Sequence, residues 1–202
     1  MAVRVLAVVG VAVLLGAAAA CAGGTRSAAG DQVVAEGGTL SVSTEGDGLV
    51  LEKADLDANG RPDVWTHVRD VVAKDGSKTR TLVKRTVDLN GDGKPDLTEH
   101  YDGDGVLAKT QADADFDGRV DIVRTFKKGK VESEEISSRF DGVFDVRKYY
   151  EDGQLVLKQV DTRHAGRFDE FQYFVGSKLY RVGWDRDGDG KPEVFEENPA
   201  ME

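Results

Sequence analysis

Short runs rich in Val, Thr, Phe and Tyr recur through residues 39–202, in pairs around glycine-containing turns. Residues 120–127 and 130–137 flank Lys128-Gly129, 143–150 and 154–160 flank Glu151-Asp152-Gly153, and 167–175 and 178–184 flank Gly176-Ser177. β-branched and aromatic runs on either side of a glycine turn predict hairpins. An extra pair, 39–44 and 49–54, precedes them, and a longer excursion surrounds Lys74-Asp75-Gly76-Ser77.

Between the pairs lies a nine-residue polar frame that starts at Asp55, Asp88, Asp113, Ser137, Asp161 and Asp185. The last four starts are 24 residues apart and the earlier gaps are 33 and 25, which marks a repeat architecture. Apolar residues keep fixed places in it. Position 10 holds Val64, Leu97, Ile122, Val146, Glu170 and Val194, position 14 holds Val68, Tyr101, Phe126, Tyr150 and Phe174, and Ala54, Val87, Ala112, Ile136, Val160 and Trp184 precede the frames. Positions 10 and 14 share a strand face, position 12 between them is polar, and position 11 on the other face carries Trp65, Val123, Phe171 and Phe195.

The expected class is all-β: antiparallel hairpin repeats forming a meander sheet, a sandwich or a barrel. Because both faces are partly apolar, the pattern leaves these three open. Blades of a propeller need about 40 residues or more, longer than this repeat. If consecutive strands pair antiparallel, short turns lie along one rim and all six frames along the other.

Four frames alternate oxygen-bearing side chains and close on a glycine at position 6. They are Asp55, Asp57, Asn59, Asp63; Asp88, Asn90, Asp92, Asp96; Asp113, Asp115, Asp117, Asp121; and Asp185, Asp187, Asp189, Glu193. Several hard oxygens around one point suit Ca²⁺, and unneutralised carboxylates that close repel one another. The competing reading is a set of Asx turns whose Asp and Asn side chains bond only backbone. The stretch 87–97, V-D-L-N-G-D-G-K-P-D-L, resembles the calcium loop of FG-GAP-type repeats. That resemblance implies side-chain ligands at positions 1, 3, 5 and 9 and a carbonyl ligand at position 7, here Arg61, Lys94, Arg119 and Lys191. EF-hands share the first six positions, but their position-12 glutamate occurs only as Glu99 and Glu196, and Pro62, Pro95 and Pro192 with β-rich flanks favour strands. The hairpin around 149–155 loosely resembles MORN-type arrays.

The frames at 137 and 161 keep Gly142, Asp145, Gly166 and Asp169 but place Arg139 and Arg163 at position 3. The turn is expected to persist there without metal, with the arginines supplying the positive charge. Solvent-facing arginines are the plainer alternative.

At the N-terminus, Arg4, an apolar run over 5–15 and small residues over 16–20 form an export signal, too short for a comfortable membrane span. Residues 14–21, ending A-A-A-C, resemble a bacterial lipobox, which implies lipidation of Cys21, and Ala22 after it implies outer-membrane sorting. Residues 1–20 are read as the signal, 21–38 as a flexible Ala/Gly/Ser-rich tether and 39–202 as the repeat domain.

The formal net charge is −10, or −11 once Arg4 leaves with the signal. The four intact frames hold 14 acids, so the remaining mature chain is about +3. Clustered negative charge disfavours nucleic acid and anionic lipid. No G-x-x-x-x-G-K, G-x-S-x-G or H-E-x-x-H motif is present. His67 and His100 share position 13 of adjacent frames, either as a weak transition-metal site or as an exposed cross-strand pair. The expectation is a non-enzymatic, calcium-binding envelope lipoprotein, a structural or adhesion-type module meeting the membrane through Cys21 and a surface or envelope protein partner. An accessory subunit with merely rigid loops, or an envelope enzyme using a bound calcium, are the alternatives.

Overall fold

The computed structural model describes residues 32–35, 38–44, 48–72 and 75–198, and side chains from residue 41 onward. The export signal and Cys21 lie outside the described residues. Fourteen strands appear among the described residues: β1 (Gln32–Ala35), β2 (Gly38–Thr44), β3 (Leu49–Asp55), β4 (Val64–Val72), β5 (Lys78–Val87), β6 (Leu97–Tyr101) and β7 (Leu107–Ala112) in the first half. The second half holds β8 (Ile122–Lys127), β9 (Lys130–Ile136), β10 (Val146–Glu151), β11 (Gln154–Val160), β12 (Glu170–Val175), β13 (Lys178–Trp184) and β14 (Val194–Glu197).

Every strand pairs antiparallel with its sequence neighbour, and the spatial order is the sequence order from β1 to β14. The sheet is a single open meander: β1 pairs only with β2 and β14 only with β13, so neither a sandwich nor a barrel forms. This topology puts the six frames on one rim and the hairpin turns on the other. Strands after the frames begin two or three residues later than the apolar pattern suggests, because the frame holds its residues in the loop through position 9. β1 lies within the segment read as a tether, so pairing begins at Gln32, where Val33 opposes Leu40.

The register carries the 24-residue pattern into three rows on one face. Next to the loop rim an apolar row runs strand by strand through Val64, Val87, Leu97, Ala112, Ile122, Ile136, Val146 and Val160, and Glu170 interrupts it before Trp184 and Val194. Near the turns a second row pairs Val68 with Leu82, Tyr101 with Leu107, Phe126 with Val131, Tyr150 with Leu155 and Phe174 with Leu179. A register shift just before each of these pairs, the same in all five hairpins, places one extra residue in the second strand and increases local twist.

Between the apolar rows lie the polar residues of position 12 and their partners. Arg85 Nε donates to Glu99 at 2.6 Å, and Glu134, buried, accepts from Arg124 Nε at 2.6 Å and Lys148 Nζ at 2.7 Å. His67 and His100 both oppose Lys84, one from each side of β5, so they are two strands apart and do not form a cross-strand pair. Two strands per repeat put that spacing between any equivalent residues of neighbouring repeats.

Burial pushes the Glu134 carboxyl up, but Lys148 and Arg124 outweigh it and hold it below the usual range. A folded pKa below the unfolded one stabilises the protein above the unfolded value, about 4.5, and the contribution is lost as pH falls through the lowered one. Glu134→Gln is expected to cost about 1–3 kcal/mol at neutral pH by leaving two cations without a counterion. Melting temperature measured against pH should then fall less steeply on the acid side than in the parent protein.

Candidate metal centre

The six frames fold into one repeated loop whose backbone the sequence spacing explains. Position 6 is Gly60, Gly93, Gly118, Gly142, Gly166 and Gly190, with φ between 77° and 93°, a left-handed conformation open to glycine at little cost. Position 4 is left-handed as well, in Ala58, Gly91, Phe116, Phe140, His164 and Gly188. The two reversals turn successive N–H groups inward. Position 1 receives them: Asp55, Asp88, Asp113, Asp161 and Asp185 each accept the N–H of the glycine at position 6, at 2.6–2.8 Å. In the 137–145 loop the Ser137 hydroxyl takes this place at 3.2 Å.

Position 9 closes the loop. Its N–H bonds the carbonyl of the residue before the frame, at 2.8–3.1 Å in all six. One carboxylate oxygen accepts the N–H of position 2, at 2.6–2.8 Å, in Asp63, Asp96, Asp121, Asp145, Asp169 and Glu193. Neighbouring loops are joined as well, because the position-9 carbonyl of each accepts the position-1 N–H of the next at 2.7–3.0 Å. Loops two strands apart stand about 9.5 Å from one another.

Positions 1, 3 and 9 converge in three loops. Asp55, Asp57 and Asp63, then Asp113, Asp115 and Asp121, then Asp185, Asp187 and Glu193 each bring one oxygen per residue to within 4.8 Å of the others, and each trio could hold a metal ion. No such acidic trio forms in the 88–96 loop among the described residues, where Asn90 stands at position 3 and Asp96 accepts from both Leu89 and Asn90. Position 5 stays outside the trios. Asn59, Asp92, Asp117 and Asp189 each accept the position-7 N–H of Arg61, Lys94, Arg119 and Lys191 at 2.8 Å. Asp117 is bonded also by the Arg119 guanidinium, which holds its carboxyl below the usual range. Position 3 accepts the position-5 N–H in the same four loops, so Asx turns and convergent carboxylates coexist.

Comparison with protein-family models and with curated proteins returns no match.

The loops differ from one another in what meets the second oxygen of position 9. In the 161–169 loop, buried Asp169 Oδ2 is bonded by the Thr162 hydroxyl at 3.0 Å and by Arg163 Nε at 2.7 Å. In the 137–145 loop, Asp145 Oδ2 is bonded by the Ser138 hydroxyl at 2.6 Å and approached by His164 Nδ1 at 3.5 Å. Arg139 pairs there with Asp141 at 3.0 Å. Both arginines, about half exposed, thus pair with carboxylates of their own loops. The intact loops have Leu56, Leu89, Ala114 and Arg186 at position 2, none with a hydroxyl. In the 113–121 loop Asp121 is fully buried and its Oδ1 has no hydrogen-bond partner. Burial pushes the neighbouring Asp115 carboxyl up, and the charges of Asp117, Asp121 and Asp113 add to that.

The hydroxyl at position 2, absent from the sequence argument, is the signal that separates the two loop types. Arg163→Ala is expected to destabilise the protein by about 1–3 kcal/mol, since buried Asp169 loses a charged partner. Chemical denaturation with and without calcium should return the same loss, because a cation-independent loop supplies it.

Proposed function

We propose that this chain is a calcium-binding repeat module, structural or adhesion-type, anchored to a bacterial outer membrane through a lipid on Cys21. The observation that carries the cation reading is Asp121 Oδ1, buried without a hydrogen-bond partner on a residue whose carboxylate converges with those of Asp113 and Asp115. A buried carboxylate oxygen left unpaired costs about 1–3 kcal/mol or more. Where arginine stands at position 3, in the 137–145 and 161–169 loops, the chain supplies a hydroxyl and an arginine or histidine to the equivalent oxygen. Where it keeps the acid, a cation is the donor that fits. Carboxylates alone, without thiolate or imidazole, suit a hard ion such as Ca²⁺. Extracellular calcium modules have dissociation constants of about 10⁻⁴ to 10⁻³ M. At ten times such a constant each loaded loop adds about 1.4 kcal/mol to folding.

Calcium is expected to raise the melting temperature over the value in excess chelator, and equal values would overturn the reading. Asp121→Asn should remove the share of one loop. The converse variant, Arg163→Asp with Ala165→Asp, restores D-x-D-x-D-G at 161–166. Titration calorimetry should then count one more calcium ion per chain than in the parent.

A further inference from the structure

The loop rim carries exposed apolar side chains beside its carboxylates. Leu56 and Leu89 at position 2, Phe116 and Phe140 at position 4 and Val143 at position 7 are 45–62% exposed, and four consecutive loops supply them. They therefore form one row along the edge of the sheet. On the turn rim the exposed large apolar residues are all valines, Val71, Val72, Val106 and Val175. Phe116 and Phe140 are held at φ 66° and 59°, at a position where two other loops have glycine. A strained backbone that presents an aromatic ring to solvent points to use of the ring rather than to folding.

Charge completes the pattern. The six frames contain 18 acidic and 8 basic side chains, net −10, and a divalent cation in each of the three trios would bring them to −4. Each acidic trio has its position-1 carboxylate buried and its position-3 carboxylate, Asp57, Asp115 or Asp187, exposed, so the trios open outward along the row. The last two loops have no exposed apolar tip and present Arg163, Arg167, Arg186 and Lys191 instead. An unloaded rim of this kind is repelled by phosphate, which is the sense in which net charge argues against anionic lipid. A loaded rim combines apolar tips, cations and basic side chains, the chemistry of an interfacial membrane contact.

We propose that the loop rim docks on a phospholipid surface when its cations are bound, with Leu56, Leu89, Phe116 and Phe140 entering the headgroup and acyl boundary and the ions meeting headgroup phosphates. A row one side chain wide suits a flat fluid surface better than the two-dimensional patch of a stable protein interface. This inference rests on the cation reading above.

The test uses the full chain with vesicles of phosphatidylcholine and phosphatidylglycerol carrying brominated acyl chains. Because an N-terminal lipid would itself hold vesicles, the readout is penetration of the rim, by bromine quenching of Phe116→Trp. Quenching in calcium but not in chelator is expected. In the otherwise native chain, Phe116→Asn with Phe140→Asn should weaken the calcium-dependent part of vesicle binding at least tenfold without lowering the melting temperature, since Asn tolerates the left-handed backbone. If calcium raises the melting temperature but quenching does not follow, or if a protein partner and not the vesicle requires the two Phe side chains, the docking proposal is overturned and the cation reading stands. If calcium leaves the melting temperature unchanged, both fall.

Discussion

The molecule depends on satisfying carboxylates that it cannot leave in water. A single-layer sheet has no second layer to enclose a core, and only Leu51, Val68, Val123 and Phe171 are buried apolar residues among those described. Twelve polar or charged residues are buried, and ten of them occupy positions 1 and 9 of the loops. The best-enclosed layer of the protein is thus a line of acidic side chains along one rim. A buried charge is tolerated only when donors surround it. Position 1 finds them in the inward N–H groups of its own loop, and position 9 finds one N–H and needs a second partner.

That need divides the repeats. Two loops answer it with side chains, Ser138 and His164 at Asp145, Thr162 and Arg163 at Asp169. The intact loops have no hydroxyl at position 2 and keep an oxygen side chain at position 3, and in three of them the carboxylates of positions 1, 3 and 9 converge closely enough that they could hold a metal ion. The same backbone therefore closes either on its own side chains or around converging carboxylates that could hold an ion, and the two kinds stand side by side. Their main chains are hydrogen-bonded from position 9 to the next position 1, which joins them into one rim.

The sheet faces have a different logic. Two apolar rows near the rims enclose a row of alternating charge, where Arg124, Glu134 and Lys148 share hydrogen bonds across three strands. Cross-strand pairs of this sort stabilise a sheet locally, repeat by repeat, and a repeat array needs little long-range packing. The rim can then carry strained, exposed residues such as Phe116 and Phe140 without unsettling the strands behind them.

The sequence alone determined the hairpins, the acidic rim and the repeat, because each depends on local periodicity: two for strands, 24 for the array, and a glycine at position 6 of every frame, where φ is positive. It left open whether Arg139 and Arg163 pair with carboxylates or face solvent, and the folded loops show Arg139 paired with Asp141 and Arg163 with Asp169. Tertiary structure decided that the sheet stays open, because both faces are half apolar and composition does not distinguish a flat meander from a closed one. It decided the separation of His67 from His100, which depends on the strand between them. It decided as well which carboxylates meet: positions 1, 3 and 9 converge, while position 5 turns to the backbone N–H of position 7. Only the folded loop reveals that Asp121 has an oxygen without a donor, since a hydrogen-bond deficit belongs to the packing of all its neighbours and to no residue by itself.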